Sequence, residues 1–130
     1  ACVCSREGEP DSQRALVLAM KAALRDARLQ PGDIGHINAH GVGTIEGDRQ
    51  EAAAIHEVFG DYGSKVPVTA IKSYLGNAGS GSGVLEIAAS FLGLSHGIVP
   101  HTLNYETPDP TCRLSVTRKG QASVIIASGV

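Results

Sequence analysis

Ile37-Asn38-Ala39-His40-Gly41-Val42-Gly43-Thr44 is the stretch that decides the fold class of this chain. The run from Asp33 to Ala39 is apolar enough for a partly buried strand, and Gly41 and Gly43 then break it into a turn. An imidazole, His40, is left at the point of exit. The pattern returns as Val68-Thr69-Ala70-Ile71-Lys72-Ser73, followed by the small-residue turn Gly76-Asn77-Ala78-Gly79-Ser80-Gly81-Ser82-Gly83. Two strand ends spilling into glycine-rich loops predict one shared pocket.

Outward from these turns, helices alternate with strands. Ser12 is placed to cap a helix to about Leu29, with Leu16, Met20, Ala23 and Ala27 at helical spacing, and Pro31-Gly32 ends it. Asp48-Arg49-Gln50-Glu51 has the form of a capping box and predicts a second helix running to Phe59. Val66 to Ile71 reads as a strand whose Pro67 puts its beginning at an edge or outside the ladder. A third helix starts near Gly81 to Gly83 and runs to about His96. Its only charge is Glu86, so it is expected to be buried on most sides. His101 to Asp109 is a polar, proline-rich loop, and Arg113 to Thr117 and Ala122 to Ala127 read as closing strands. The expected fold is α/β, a layered mixed sheet with helices on its faces, in one domain over residues 1–130.

Composition narrows the function. With 42% hydrophobic and 18% charged residues, 130 residues can bury a real core. A net charge of -2, no tryptophan and 4% aromatic residues lack the basic footprint and stacking platforms of nucleic-acid binding. No segment approaches the roughly 18 apolar residues of a membrane span. Cys2, Cys4 and Cys112 form no zinc or redox spacing, which suits a reduced, cytoplasmic setting. Strand-like character at both ends suggests a piece of something longer.

The glycine turns do not make phosphate sites. In Gly41-Val42-Gly43-Thr44-Ile45-Glu46-Gly47 the third glycine comes one place late for a dinucleotide fingerprint, and Glu46 would face a pyrophosphate. The second turn lacks the Gly-Lys-Ser/Thr ending of a phosphate loop. Metal binding fails on spacing, since four strand residues separate His36 from His40 by roughly 13 Å. His56, His96 and His101 have no acidic or thiol partner at metal spacing, so a surface or capping role is expected. His40, by contrast, is accompanied by Asn38, Thr44, Asp48 and Glu51, and Lys72 ends the next strand.

Asn38-Ala39-His40-Gly41-Val42-Gly43-Thr44, Gly47-Asp48 with Glu51, Lys72-Ser73-Tyr74-Leu75-Gly76-Asn77 through Glu86, and Pro100-His101-Thr102-Leu103-Asn104 together resemble the C-terminal half of the β-ketoacyl-acyl carrier protein synthases. The resemblance covers nearly the whole chain and implies the thiolase fold. It implies a condensing enzyme of fatty acid or polyketide synthesis, with an acyl-carrying cysteine in the N-terminal half and two histidines here that promote decarboxylation of a malonyl thioester. His40 matches the first histidine and Lys72 the family lysine. Asp48 and Glu51 match acidic positions that order the lysine side of the pocket, and Thr44 a contact to the pantetheine arm. Asn38 and Glu86 match positions near a buried cation in some members, with a simple hydrogen-bonded Asn and Glu as the other reading. No cofactor is implied. The implied partners are acyl carrier protein, bearing phosphopantetheine-linked acyl and malonyl groups, and a second copy in a homodimer.

Three departures qualify the resemblance. Asn77 stands where the second histidine belongs, as in the ketosynthase III and chalcone synthase branches, and an amide N–H can also serve an enolate oxygen. Val42 replaces a usual threonine. None of the three cysteines sits at a strand-to-helix nucleophile turn, so the nucleophile is expected upstream and the fragment alone is expected to be inactive. A non-catalytic, chain-length-factor-like partner subunit stays open as the alternative.

Overall fold

The computed structural model describes residues 12–120, and the expected strand at Ala122 to Ala127, with Cys2 and Cys4, lies outside them. Helix α1 spans Ser12–Ala27. It stops before Pro31 because Arg28 turns left-handed, at φ 58°, and Leu29 N–H closes back on the Leu24 carbonyl at 3.0 Å. The chain then makes a 3₁₀ turn at Pro31–Asp33, held by Gln30 N–H donating to the Asp33 carboxylate at 2.7 Å. This turn takes Asp33, the first residue of the expected strand, and residues 34–36 lie outside the ladder. Strand β1 is therefore only Ile37–Asn38.

Helix α2 covers Ile45–Phe59, and strand β2, Pro67–Thr69, follows a 3₁₀ turn. Helix α3 is the single turn Lys72–Leu75, α4 spans Ser82–Ser95, and β3 is Ser115–Val116. The strands line up as β1-β2-β3, and both ladders are parallel, pairing Ile37 with Val68 and Val68 with Val116. Pro67 opens the central strand opposite Ser115, where a missing N–H is tolerated. Crossovers carrying helices are what parallel strands require. The fold is α/β among the described residues.

The core lies between α2 and the sheet, with Ala52, Ala54, Ile55, Phe59, Val66, Val68 and Ile71 buried. Helix α1 packs on α2 and contributes Val17. Full burial of a side chain such as Ile55 contributes about 1.5–3 kcal/mol, so this layer anchors the two strand ends from below.

Helix α4 departs from the expectation of burial. Phe91 is 72%, Val84 71% and Ile87 69% exposed, and Leu92 and Leu94 are also exposed. An apolar sequence drives a helix to seek cover, but it does not supply the covering element, and among the described residues none lies over this face.

Candidate active site

The His40 loop is tied down by its own helix. Glu51, in the second turn of α2, accepts the backbone N–H of His40 at 2.6 Å and of Gly41 at 2.9 Å. Asp48 accepts Gly43 N–H at 3.2 Å, and the Thr44 hydroxyl accepts Gly47 N–H at 3.2 Å as the helix cap. One expectation is corrected here. The helix begins at Thr44 rather than at an Asp48 cap, because Asp48 turns back to the loop. Asp48 and Glu51 hold the histidine loop through its backbone N–H groups, and both line the same cavity as Lys72.

Gly41 brings the two strand ends together. At φ 49°, a Cβ built on it would lie 2.6 Å from the Ala70 Cβ, so only glycine fits this crossing. Across it, Lys72 begins α3 with its side chain only 6% exposed. Its ammonium lies 2.9 Å from His40 Nδ1 and forms an ion pair with Glu86 of α4, whose side chain is 17% exposed. An ammonium paired with a carboxylate can only donate, so Nδ1 accepts and the imidazole proton sits on Nε2. The exposed His40 ring thereby presents Nε2–H as its free donor.

Asn38 reaches the same group from β1. Its Nδ2 donates to the Glu86 carbonyl at 3.0 Å and to Ser90 Oγ at 2.9 Å, while its buried Oδ1 has no partner among the described residues. Oδ1 could face a cation, but the Glu86 carboxylate is engaged by Lys72, so these two residues alone do not form a cation site. No group of three potential metal ligands exists among the described residues.

Asn77 follows Gly76, whose φ of 72° turns the chain out of α3. Its Oδ1 accepts from Gly79 N–H at 3.0 Å and from Ser82 Oγ at 3.1 Å. Asn77 and Lys72 line a cavity of ≈ 530 Å³ that also reaches Val42, Thr102 and Cys112. His40 stands beside this cavity rather than on its lining, joined to it through Lys72.

Several contributors were missed by sequence reasoning. Ser73 donates to the Ala70 carbonyl at 2.6 Å and accepts Leu103 N–H at 3.0 Å, and Thr102 Oγ1 accepts Ala70 N–H at 3.1 Å. Together they hold the 100–104 loop against the strand end. Behind them His36, half-buried, lies 3.0 Å from Thr69 Oγ1, which donates to the Pro100 carbonyl at 2.7 Å. Burial holds the His36 pKa below its ordinary value. Single hydroxyls among many serines and threonines carry no periodic signal, so these roles were not readable.

Residues 5–106 match the family model described as Beta-ketoacyl synthase, C-terminal domain. The chain belongs to the β-ketoacyl synthase family. This ketosynthase domain is 41% identical over 125 residues to the tetracenomycin polyketide synthase ketoacyl synthase alpha subunit of Streptomyces glaucescens, covering 93% of this chain and 29% of that protein. It is also 41% identical to nodulation protein E of Rhizobium leguminosarum bv. trifolii, covering 76% of this chain and 25% of the relative. A β-ketoacyl synthase from Burkholderia phymatum STM815 superposes with a TM-score of 0.79 at 33% identity, over 87% of this chain and 27% of the other. A type II ketosynthase solved with its acyl-carrier protein superposes at 0.78 and 33% identity, over 84% and 27% of the two chains. The chain spans less than a third of the length of these relatives, and the thiolase-like α/β fold is shared with them.

Proposed function

We propose that this ketosynthase domain supplies the decarboxylation side of a decarboxylative condensation, in a type II, polyketide-like β-ketoacyl synthase whose nucleophilic cysteine lies outside this chain. The observation that carries the proposal is the Lys72 ammonium on His40 Nδ1, which leaves Nε2–H as a donor. A malonyl thioester oxygen placed before His40 Nε2–H and Asn77 Nδ2–H would gain charge as the carboxylate carbon–carbon bond breaks and carbon dioxide leaves. The electron pair of that bond becomes the enolate. Its carbon then attacks the acyl thioester on the cysteine, forming the new carbon–carbon bond and expelling the thiolate. Each preorganised donor of this kind lowers the barrier by about 2.7–4 kcal/mol.

Acyl carrier protein is the proposed partner, delivering the malonyl group on its phosphopantetheine arm, with Thr44 at the exposed loop as an arm contact. The relative solved with its acyl-carrier protein supports this choice. A reducing, cytoplasmic compartment is proposed with it. The test is carbon dioxide release from malonyl-acyl carrier protein by the complete synthase. His40→Ala is expected to lower it at least 100-fold, consistent with loss of one such donor, and an unaffected rate would defeat the proposal.

Asn77 and Val42 favour one second reading, a chain-length-factor-like subunit in a heterodimer. Two of the similar solved structures are described as ketosynthase/chain length factor pairs. A non-nucleophilic residue at the upstream cysteine position would select that reading, and homodimerisation with a loaded cysteine would reject it.

A further inference from the structure

We infer that Ser82 is a positioning residue that locks the Asn77 side-chain amide with its N–H pair toward the cavity. The inference rests on the reading of Asn77 as an enolate donor. Gly79 N–H can only donate, so the Asn77 atom 3.0 Å from it is the oxygen, and the orientation of the amide is set by this bond. Ser82 Oγ accepts Ala78 N–H at 3.0 Å, leaving its own proton for Asn77 Oδ1 at 3.1 Å. Ser82 is 4% exposed, at the start of α4, so its hydroxyl meets both groups from a buried position.

With both donors on Oδ1, the Nδ2 protons are the part of the side chain left for the cavity that Asn77 lines. Rotating the amide by half a turn would break both bonds and place an acceptor against the developing negative charge. An asparagine at this place therefore needs a device that chooses its face, and the buried hydroxyl supplies it. The Gly-rich turn lets the chain double back so that residues 77, 79 and 82 meet. Gly79, at φ 58°, provides that reversal.

The test uses the complete synthase and reads kcat and KM for malonyl-acyl carrier protein decarboxylation. Ser82→Ala is expected to lower kcat about fivefold, the worth of one neutral hydrogen bond, with KM unchanged and Ser82→Thr restoring the rate. In an Asn77→Ala background, Ser82→Ala is expected to cause no further loss. An equal loss in both backgrounds would mean that Ser82 acts on the fold and not through Asn77, and would overturn the inference. Should Ser82→Ala fail to fold, Ser82→Cys carries the same cycle with a weaker donor. If Asn77→Ala alone leaves decarboxylation intact, the donor reading itself fails. If Asn77→Ala abolishes it and Ser82→Ala changes nothing, only the positioning role fails.

Discussion

Glu86→Gln is the most informative single perturbation, because Glu86 is the counter-ion of an ammonium that is almost wholly buried. Removing one partner of such a pair leaves an uncompensated charge and costs about 3–5 kcal/mol of stability. Both side chains are less than a fifth exposed, so solvent screening offsets little of this. The same change removes the carboxylate that fixes the ammonium beside His40 Nδ1, so that hydrogen bond is no longer held in place. A charge-assisted hydrogen bond is worth about 1.5–3 kcal/mol, which translates into a decarboxylation rate lowered about 10- to 100-fold. The assay pairs thermal unfolding of the complete synthase with carbon dioxide release. A second variant separates the two effects: replacing both partners, Lys72→Met with Glu86→Leu, is expected to recover most of the stability, because apolar residues of similar volume substitute well for a buried pair. Its activity should stay low, since nothing then holds the imidazole tautomer. A double variant as active as the parent would refute the role given to Lys72.

Two further outcomes test the surrounding frame. The pKa of His36 is held below 6.5 by burial, so the unfolded chain binds more protons as pH drops beneath that value. Stability is therefore full above pH 6.5 and falls as the pH is lowered through the window beneath it, by at most about 1.4 kcal/mol per pH unit, and His36→Gln should flatten that slope in urea melts. Gly41→Ala is expected to destabilise the synthase by about 1–3 kcal/mol, from a positive φ and a Cβ contact with Ala70, with a lower thermal midpoint as the readout.

Much of this organisation was legible in the residues. The strand-to-glycine exits at His40 and Lys72 announced one pocket, and the two residues do meet at 2.9 Å. The motif around His40, with the Lys72-Ser73 turn and Asn77, led to the family that the comparisons show. Strand lengths were overstated, because local apolar runs do not reveal how many residues find ladder partners. The capping box at Asp48 failed for a related reason: a carboxylate that can cap a helix can also serve a loop, and the loop carried more unsatisfied donors.

What the sequence by itself determined is the inventory and its order: helices alternating with strands, glycines where the backbone must turn or approach closely, a histidine and a lysine at the strand exits, and an asparagine in the glycine-rich turn beyond. Those follow from periodicity and backbone sterics, which act over a few residues. Only the tertiary structure decided the pairings: Glu86 with Lys72, Glu51 with the His40 loop, Ser82 with Asn77. Each pairing joins donors and acceptors brought together by turns and packing, and burial then makes the arrangement costly to exchange for any other. Exposure of α4 belongs to the same class, since an apolar helix states its need for cover and leaves the cover to the rest of the fold.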